Sequence, residues 1–269
     1  MTLKEKIIAF CKKEVVFVIA VAVAILSVFF VKPSAAYLSY PDYRVLALLF
    51  CLMIIVAGIK EQGIFTLLGE KLTAKAKNSR QLSLLLVLLC FFSSMLITND
   101  VALITFVPFA IVALQKSKQE RLLIPVVVLQ TVAANLGSML TPIGNPQNLY
   151  LYNLSEMSLG EFILCMLPNT LMSFTLIMIA LLFVKGKEET VVLSHSGATE
   201  VDTKQTIVYG VLFLLSLLVV AKVLACEIAL AVIVVTVFVM DRKVLKEVDY
   251  CLLLTFISFF IFTGKLKQR

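Results

Sequence analysis

The chain has 269 residues, of which 61% are hydrophobic and only 15% charged. Soluble domains are usually about 45–50% apolar and about 25% charged, and one water-soluble core cannot absorb this excess. A soluble enzyme, a nucleic-acid module and a disordered chain are therefore excluded, and the net charge of +7 is read as membrane orientation because the basic residues fall between apolar runs.

A bilayer-crossing helix needs about 20 apolar residues. The first apolar run is 15–31, preceded by Lys4, Lys6, Lys12 and Lys13. A signal peptide cleaved near Ser34-Ala35-Ala36 has a similar pattern, but the length of the run and the spans that follow favour an uncleaved first helix. A second run covers 45–60. Residues 64–77, IFTLLGEKLTAKAK, are amphipathic and basic, which fits a helix lying on the cytoplasmic surface or an ordinary soluble loop.

The runs 81–97 and 101–115 hold 17 and 15 residues. As helices they extend roughly 26 and 22 Å, short of the roughly 30 Å hydrocarbon core. Between them stands Ser93-Ser94-Met95-Leu96-Ile97-Thr98-Asn99-Asp100. A carboxylate such as Asp100 at mid-membrane costs about 3 kcal/mol on insertion scales, so it is expected to face protein, water or an ion. A re-entrant hairpin over 81–115, with a polar tip at 98–100, explains the short arms and the acid together. The alternative is a solvated turn on the outer surface. Ser93 and Ser94 are expected to bond their own helix.

The run 122–152 would measure about 46 Å as one helix, well beyond the bilayer. Inside it, Asn135 to Asn148 (NLGSMLTPIGNPQN) contains two Pro, two Gly and three Asn. Such a stretch unwinds a helix, and a discontinuous helix with usable ends and carbonyls is expected there. An extracellular loop between two spans is the alternative, but Leu149–Tyr152 is too short to begin another span. The remaining runs are 162–184, 206–221, 224–240 and 250–263, with a polar stretch at 185–205 read as a cytoplasmic linker. Glu227 is expected at the outer surface. Cys11, Cys51, Cys90, Cys165, Cys226 and Cys251 show no CxxC spacing, and the single histidine, His195, lies in the polar stretch. A histidine-based metal or catalytic site is therefore not expected, and HExxH and DDxxD motifs are missing.

With the N-terminus in the cytoplasm and 81–115 returning to one side, the cytoplasmic segments carry 18 Lys and Arg, the outer loops 3 and the C-terminal tail 3. This favours a cytoplasmic N-terminus in the plasma membrane. Residues 41–65 and 248–269 share an Asp-Tyr pair, Asp42-Tyr43 and Asp249-Tyr250, then an apolar run and a glycine, Gly58 and Gly264. The two runs cross in opposite senses, as inverted repeats do. The expected organisation is a first transporter repeat at 1–184, the linker 185–205, and a linking helix with the start of a shortened second repeat at 206–269. The fold class is all-α: a polytopic membrane protein of about seven spans plus a re-entrant hairpin and a discontinuous helix.

ITNDVALITFVPFA (97–110) and ANLGSMLTPIGNPQNLY (134–150) resemble the ion transporter superfamily of citrate transporters, divalent-anion:sodium symporters and arsenite-pump membrane subunits. The tip is similar to the family's at Thr98-Asn99-Asp100, with Pro108 further on, and the break at Asn135-Leu136-Gly137 leading to Gly144-Asn145-Pro146-Gln147-Asn148. The resemblance implies two inverted repeats and secondary transport of a small anion, citrate- or dicarboxylate-like or an inorganic oxyanion, coupled to sodium or protons. Asp100 departs from the symporter pattern, which has a hydroxyl there. An Asn-Asp pair is similar to the arsenite-pump branch and admits proton coupling.

The expected substrate and ion ligands are Thr98, Asn99, Asp100, Asn135, Gly137, Ser138, Thr141, Gly144, Asn145, Pro146 and Asn148, with sodium expected at Thr98, Asn99, Asp100, Asn135 and Gly137. Oxygen donors of this kind suit a hard cation. No cofactor is expected beyond the coupling ion. The expected partners are the solute and the bilayer, with room for a homodimer and none for nucleic acid. A sodium/proton antiporter on the same scaffold and a non-transporting remnant are the alternatives; a membrane-embedded enzyme lacks the paired acids it would need.

Overall fold

The computed structural model describes residues 3–27, 37, 39–73, 76, 78–184 and 202–266. The described residues are helical, with 3-10 turns and no strand. In chain order the helices are α1 (Leu3–Lys13), α2 (Val15–Leu26), α3 (Tyr43–Glu61), α4 (Ile64–Thr73), α5 (Ser79–Ser93), α6 (Asn99–Lys116), α7 (Leu123–Gly137), α8 (Pro146–Ser155), α9 (Leu159–Leu182), α10 (Thr203–Val220), α11 (Cys226–Met240) and α12 (Tyr250–Leu266). Among the described residues, four helical stretches are long and apolar enough to cross a membrane: Tyr43–Glu61, Glu120–Leu140, Leu159–Leu182 and Thr203–Val220. Five more apolar helices are shorter, including both hairpin arms. Ile124, Leu164 and Leu214 are 79%, 68% and 61% exposed, a surface that water would not tolerate and acyl chains cover.

Polar residues set the helix starts. Asn78 accepts the Gln81 N–H at 2.9 Å to begin α5, and Asp202 accepts the Lys204 N–H at 2.9 Å to begin α10. Ser158 and Glu161 form a reciprocal capping box at the start of α9. The Lys-rich segment before the first apolar run is itself helical, as α1, because it holds good helix formers and neither Gly nor Pro. It is separated from α2 at Glu14, which leaves helical geometry at φ −106°, ψ 50°.

The chain divides into two compact units: Met1–Ile54 with Ala225–Arg269, and Ile55–Leu224. Most of the expected linker, residues 185–201, lies outside the described residues, as do the candidate cleavage site at 34–36 and the tail beyond 266. In the first unit α2 packs against α12. The repeated Asp-Tyr pair has a local cause there: the Asp42 carboxylate accepts the Val45 N–H at 3.0 Å, and the Asp249 carboxylate accepts the Leu252 N–H at 2.9 Å. Each Asp caps the helix that its Tyr begins.

The second unit is built on α5, α6 and α7, with α9 behind them. Leu82, Leu86 and Phe91 of α5 meet Ala110 and Leu114 of α6, Val126 and Ala133 of α7, and Ile177 of α9. The small residues Ala133, Ala134 and Gly137 let α7 approach its neighbours closely, which matters in lipid, where packing rather than water exclusion holds helices together. The amphipathic segment beginning at 64 forms α4, packed on α5 and α6, with Phe65 against Phe106. At the far end of α8, the Tyr152 hydroxyl donates to the Val220 carbonyl at 2.9 Å. Lys222, in left-handed backbone geometry at φ 62°, donates to the Met157 carbonyl at 3.0 Å and lies 5.1 Å from the centre of the Tyr152 ring.

Candidate functional site

The apolar run over 81–97 stops being helical at Ser93, and Ser94 begins a tight turn. The Ser94 hydroxyl donates to the Phe91 carbonyl at 2.9 Å, and the Ile97 N–H reaches the Ser93 carbonyl at 2.9 Å. Thr98 is extended and caps α6 by accepting the Val101 N–H at 3.5 Å. Asn99 and Asp100 therefore fall in the first turn of α6, where N–H groups lack helical acceptors. Pro108 stands inside the same helix.

The second expected break is present between α7 and α8. Gly137 ends α7, Ser138–Leu140 forms a single 3-10 turn, and Thr141 is extended at φ −117°, ψ 154°. Asn145 then caps α8 by accepting the Asn148 N–H at 2.7 Å, with Pro146 in the first position, where its missing N–H is harmless.

Tip and break meet along a short seam. The Asn99 side-chain amide donates to Asn135 Oδ1 at 2.9 Å, and the Asn99 backbone N–H donates to the Gly144 carbonyl at 3.0 Å. Asn135 is oriented by its own amide, which donates to the Thr131 carbonyl at 2.9 Å. The Thr141 hydroxyl donates to the Met95 carbonyl. Beneath the seam, buried Asn148 directs its side-chain amide at the carbonyls of Met139 (2.8 Å), Thr141 (3.2 Å) and Ser138 (3.3 Å). The Ser138 hydroxyl donates to the Asn135 carbonyl at 2.9 Å and accepts from the Asn145 amide at 3.1 Å.

The structure thus brings Asn99 against Asn135 and Gly144, and Thr141 against Met95, while the Thr98 side chain caps α6. Ser138, Asn145 and Asn148 form the internal frame of the break, and Pro146 is buried at the start of α8. Asp100 is exposed on the first turn of α6. The Gly144 carbonyl accepts the Asn99 N–H. Both glycines are required by close approach. A side chain at Gly137 would fall on the Phe91 carbonyl, and one at Gly144 on the Ser138 carbonyl. Gly144→Ala is therefore expected to spread the break by about an ångström, and to cost at or above the upper end of the roughly 1–3 kcal/mol of an overpacked site, as the obstacle is backbone. A fall of several degrees in the melting temperature of the detergent-solubilised chain checks this.

Four residues were not singled out by the sequence: Gln130, Met95, Tyr152 and Lys222. Only Gln130 had a signal, as an amide in the middle of the apolar stretch VVVLQTVAAN. Met95 acts through its carbonyl, and the other two through partners distant in sequence.

Two broken membrane elements whose polar ends interlock define a class of helical membrane carriers. The chain belongs to the citrate transporter family, whose profile matches residues 7–268. It is similar to the inner membrane protein YbiR of Escherichia coli strain K12, with 32% identity over 232 residues, 84% of this chain and 60% of that protein. It is also similar to the uncharacterized transporter MJ0456 of Methanocaldococcus jannaschii, with 31% identity over 231 residues, 84% of this chain and 61% of that protein. A further relative, the silicon efflux transporter LSI3 of Oryza sativa subsp. japonica, shares 33% identity over 148 residues, 55% of this chain and 30% of its own length. The chain thus spans about 60% of the length of the first two relatives. The family is one of transporters rather than enzymes, two of these relatives are named as transporters, and the chain is a multi-pass membrane protein.

Proposed function

We propose that the chain forms the solute-gripping part of a secondary active transporter that moves a small anion, citrate- or dicarboxylate-like or an inorganic oxyanion, with sodium or protons. The observation that carries this is the Asn99–Asn135–Gly144 seam, which joins two helix N-termini, of α6 and α8, to the C-terminal ends of α5 and α7. N-terminal N–H groups favour an anion, and C-terminal carbonyls favour a cation. The donors at the tip and break are hard oxygens: the Thr98 hydroxyl, the Asp100 carboxylate, the Asn99 and Asn135 amides and the Gly137 carbonyl. Such a set fits sodium as the transported coupling ion. Ser138, Thr141, Asn145 and Asn148 hold the frame that keeps these groups together. The same reading includes a cytoplasmic N-terminus in the plasma membrane, inverted repeats, and assembly as a homodimer.

Asp100 supports a second reading, a sodium/proton antiporter on this scaffold. Its carboxylate occupies the first turn of α6, and two like charges about 4 Å apart repel by about 4 kcal/mol at an effective dielectric of 20. An anion at that helix end therefore requires Asp100 to be protonated or paired with a cation.

The full chain in proteoliposomes is tested with radiolabelled citrate, succinate, arsenate and, because a relative is named for silicon efflux, silicate, under an imposed sodium or proton gradient. Gradient-driven accumulation of one of these is expected, falling at least tenfold in Asp100→Asn at equal insertion. Undiminished uptake by Asp100→Asn would overturn the assigned role of the acid. Sodium/proton exchange with no solute accumulated would establish the antiporter instead.

A further inference from the structure

Gln130 is fully buried in α7, facing both arms of the hairpin. Its amide nitrogen donates to the Leu86 carbonyl of α5 at 3.2 Å and to the Phe106 carbonyl of α6 at 3.4 Å. Its side chain also meets the Cys90 thiol of α5, while its oxygen accepts no hydrogen bond among the described residues. Leu86 lies seven residues before the end of α5, Phe106 seven after the start of α6, and Gln130 seven before the end of α7. At 1.5 Å per residue, all three are about 10 Å from the seam.

Stability alone does not account for this residue. The Leu86 and Phe106 carbonyls lie inside helices, where they also serve the i+4 N–H of their own turn, so losing the Gln130 amide orphans neither. Its oxygen, by contrast, gains no hydrogen-bond partner among the described residues, which is unfavourable for a buried acceptor. An apolar residue of the same volume would pack there at lower cost. What only the amide supplies is a fixed lateral register between three helices whose ends carry the candidate site.

We propose that Gln130 is a positioning residue, tying both hairpin arms to the first half of the broken helix so that tip and break travel as one body. This rests on the proposed role of the seam, but its test needs no transported solute. Amide hydrogen exchange, followed by mass spectrometry on the full chain in nanodiscs, compares peptides covering 95–101 and 138–150 with a reference inside α9, alongside thermal melting. In Gln130→Met the melting temperature is expected to stay level or rise, while exchange at tip and break accelerates at least tenfold and α9 is unchanged. Gln130→Asn, whose amide is one methylene shorter, should loosen the same two segments. Gln130→Glu, which as a neutral acid keeps one donor, should restore part of the protection. Native exchange at the seam in Gln130→Met would overturn the proposal. So would acceleration spread evenly over α9 with a falling melting temperature, the mark of a merely structural role. Should Gln130→Met not fold, Gln130→Asn decides by the same two criteria. Loosening at the seam with unaltered solute uptake in vesicles would leave the positioning role standing and refute the function proposed for the seam.

Discussion

Asn148→Asp should prevent the break from closing. In the native chain one side-chain amide serves three carbonyls at 2.8, 3.2 and 3.3 Å. A carboxylate turns oxygen toward oxygen at all three contacts, and even a protonated acid brings a single hydrogen. Each unsatisfied buried polar group costs about 1–3 kcal/mol, so the total is on the order of 5 kcal/mol. That is comparable to the whole stability of a small domain. Little chain should survive solubilisation, and limited proteolysis should cut within 138–148. Asn148→Ala, which removes the donors without adding an acceptor, should be milder, at about 2–3 kcal/mol. An Asp variant that melts with the native chain would contradict this account of the break.

Gly137→Ala should separate α5 from α7. The added carbon would collide with the Phe91 carbonyl and lie 2.8 Å from the Ser94 hydroxyl. Because the main obstacle is backbone, no side chain can rotate away, and the cost should reach or exceed the upper end of the roughly 1–3 kcal/mol of an overpacked site. The displacement also moves Asn135, two residues earlier, away from Asn99, so any solute uptake should fall along with stability. Gly160 of α9 is the control, because a side chain there meets nothing within 4 Å. Gly160→Ala should be neutral or add up to about 1 kcal/mol of helix propensity. Equal melting curves for the two variants would remove the packing argument.

The membrane class and both interruptions were legible in the sequence because each rests on a local conflict. A run of 15–17 apolar residues is too short for a bilayer and one of 31 too long, while Pro, Gly and Asn mark where a helix must give way. Boundaries were less legible. Hydropathy carried the first hairpin arm to 97, although Met95, Leu96 and Ile97 are in the turn. Apolar character says where a residue can lie, not whether its backbone is helical. The converse applies to α9, which begins at Leu159 rather than 162 because the Ser158–Glu161 cap recruits polar residues into the helix. Within the site, the residue types were apparent but their division of labour was not. Asn135, Asn145 and Asn148 look alike in a string of letters. Only the fold separates the exposed amide that meets the tip from the half-buried cap and the buried clamp. Gln130 escaped notice because its partners are main-chain oxygens 44 and 24 residues away, which no spacing rule reveals.

The short helix α8 is restrained at both extremities. Asn145 and Asn148 secure its beginning, while the Tyr152 hydroxyl and the Lys222 ammonium secure the region where it finishes. A rod pinned at two points cannot swivel alone; it must drag its mounts. Any rocking of the tip would therefore be relayed through these ten residues to Met157 and to the end of α10 at Val220, with α8 serving as a push-rod rather than a hinge.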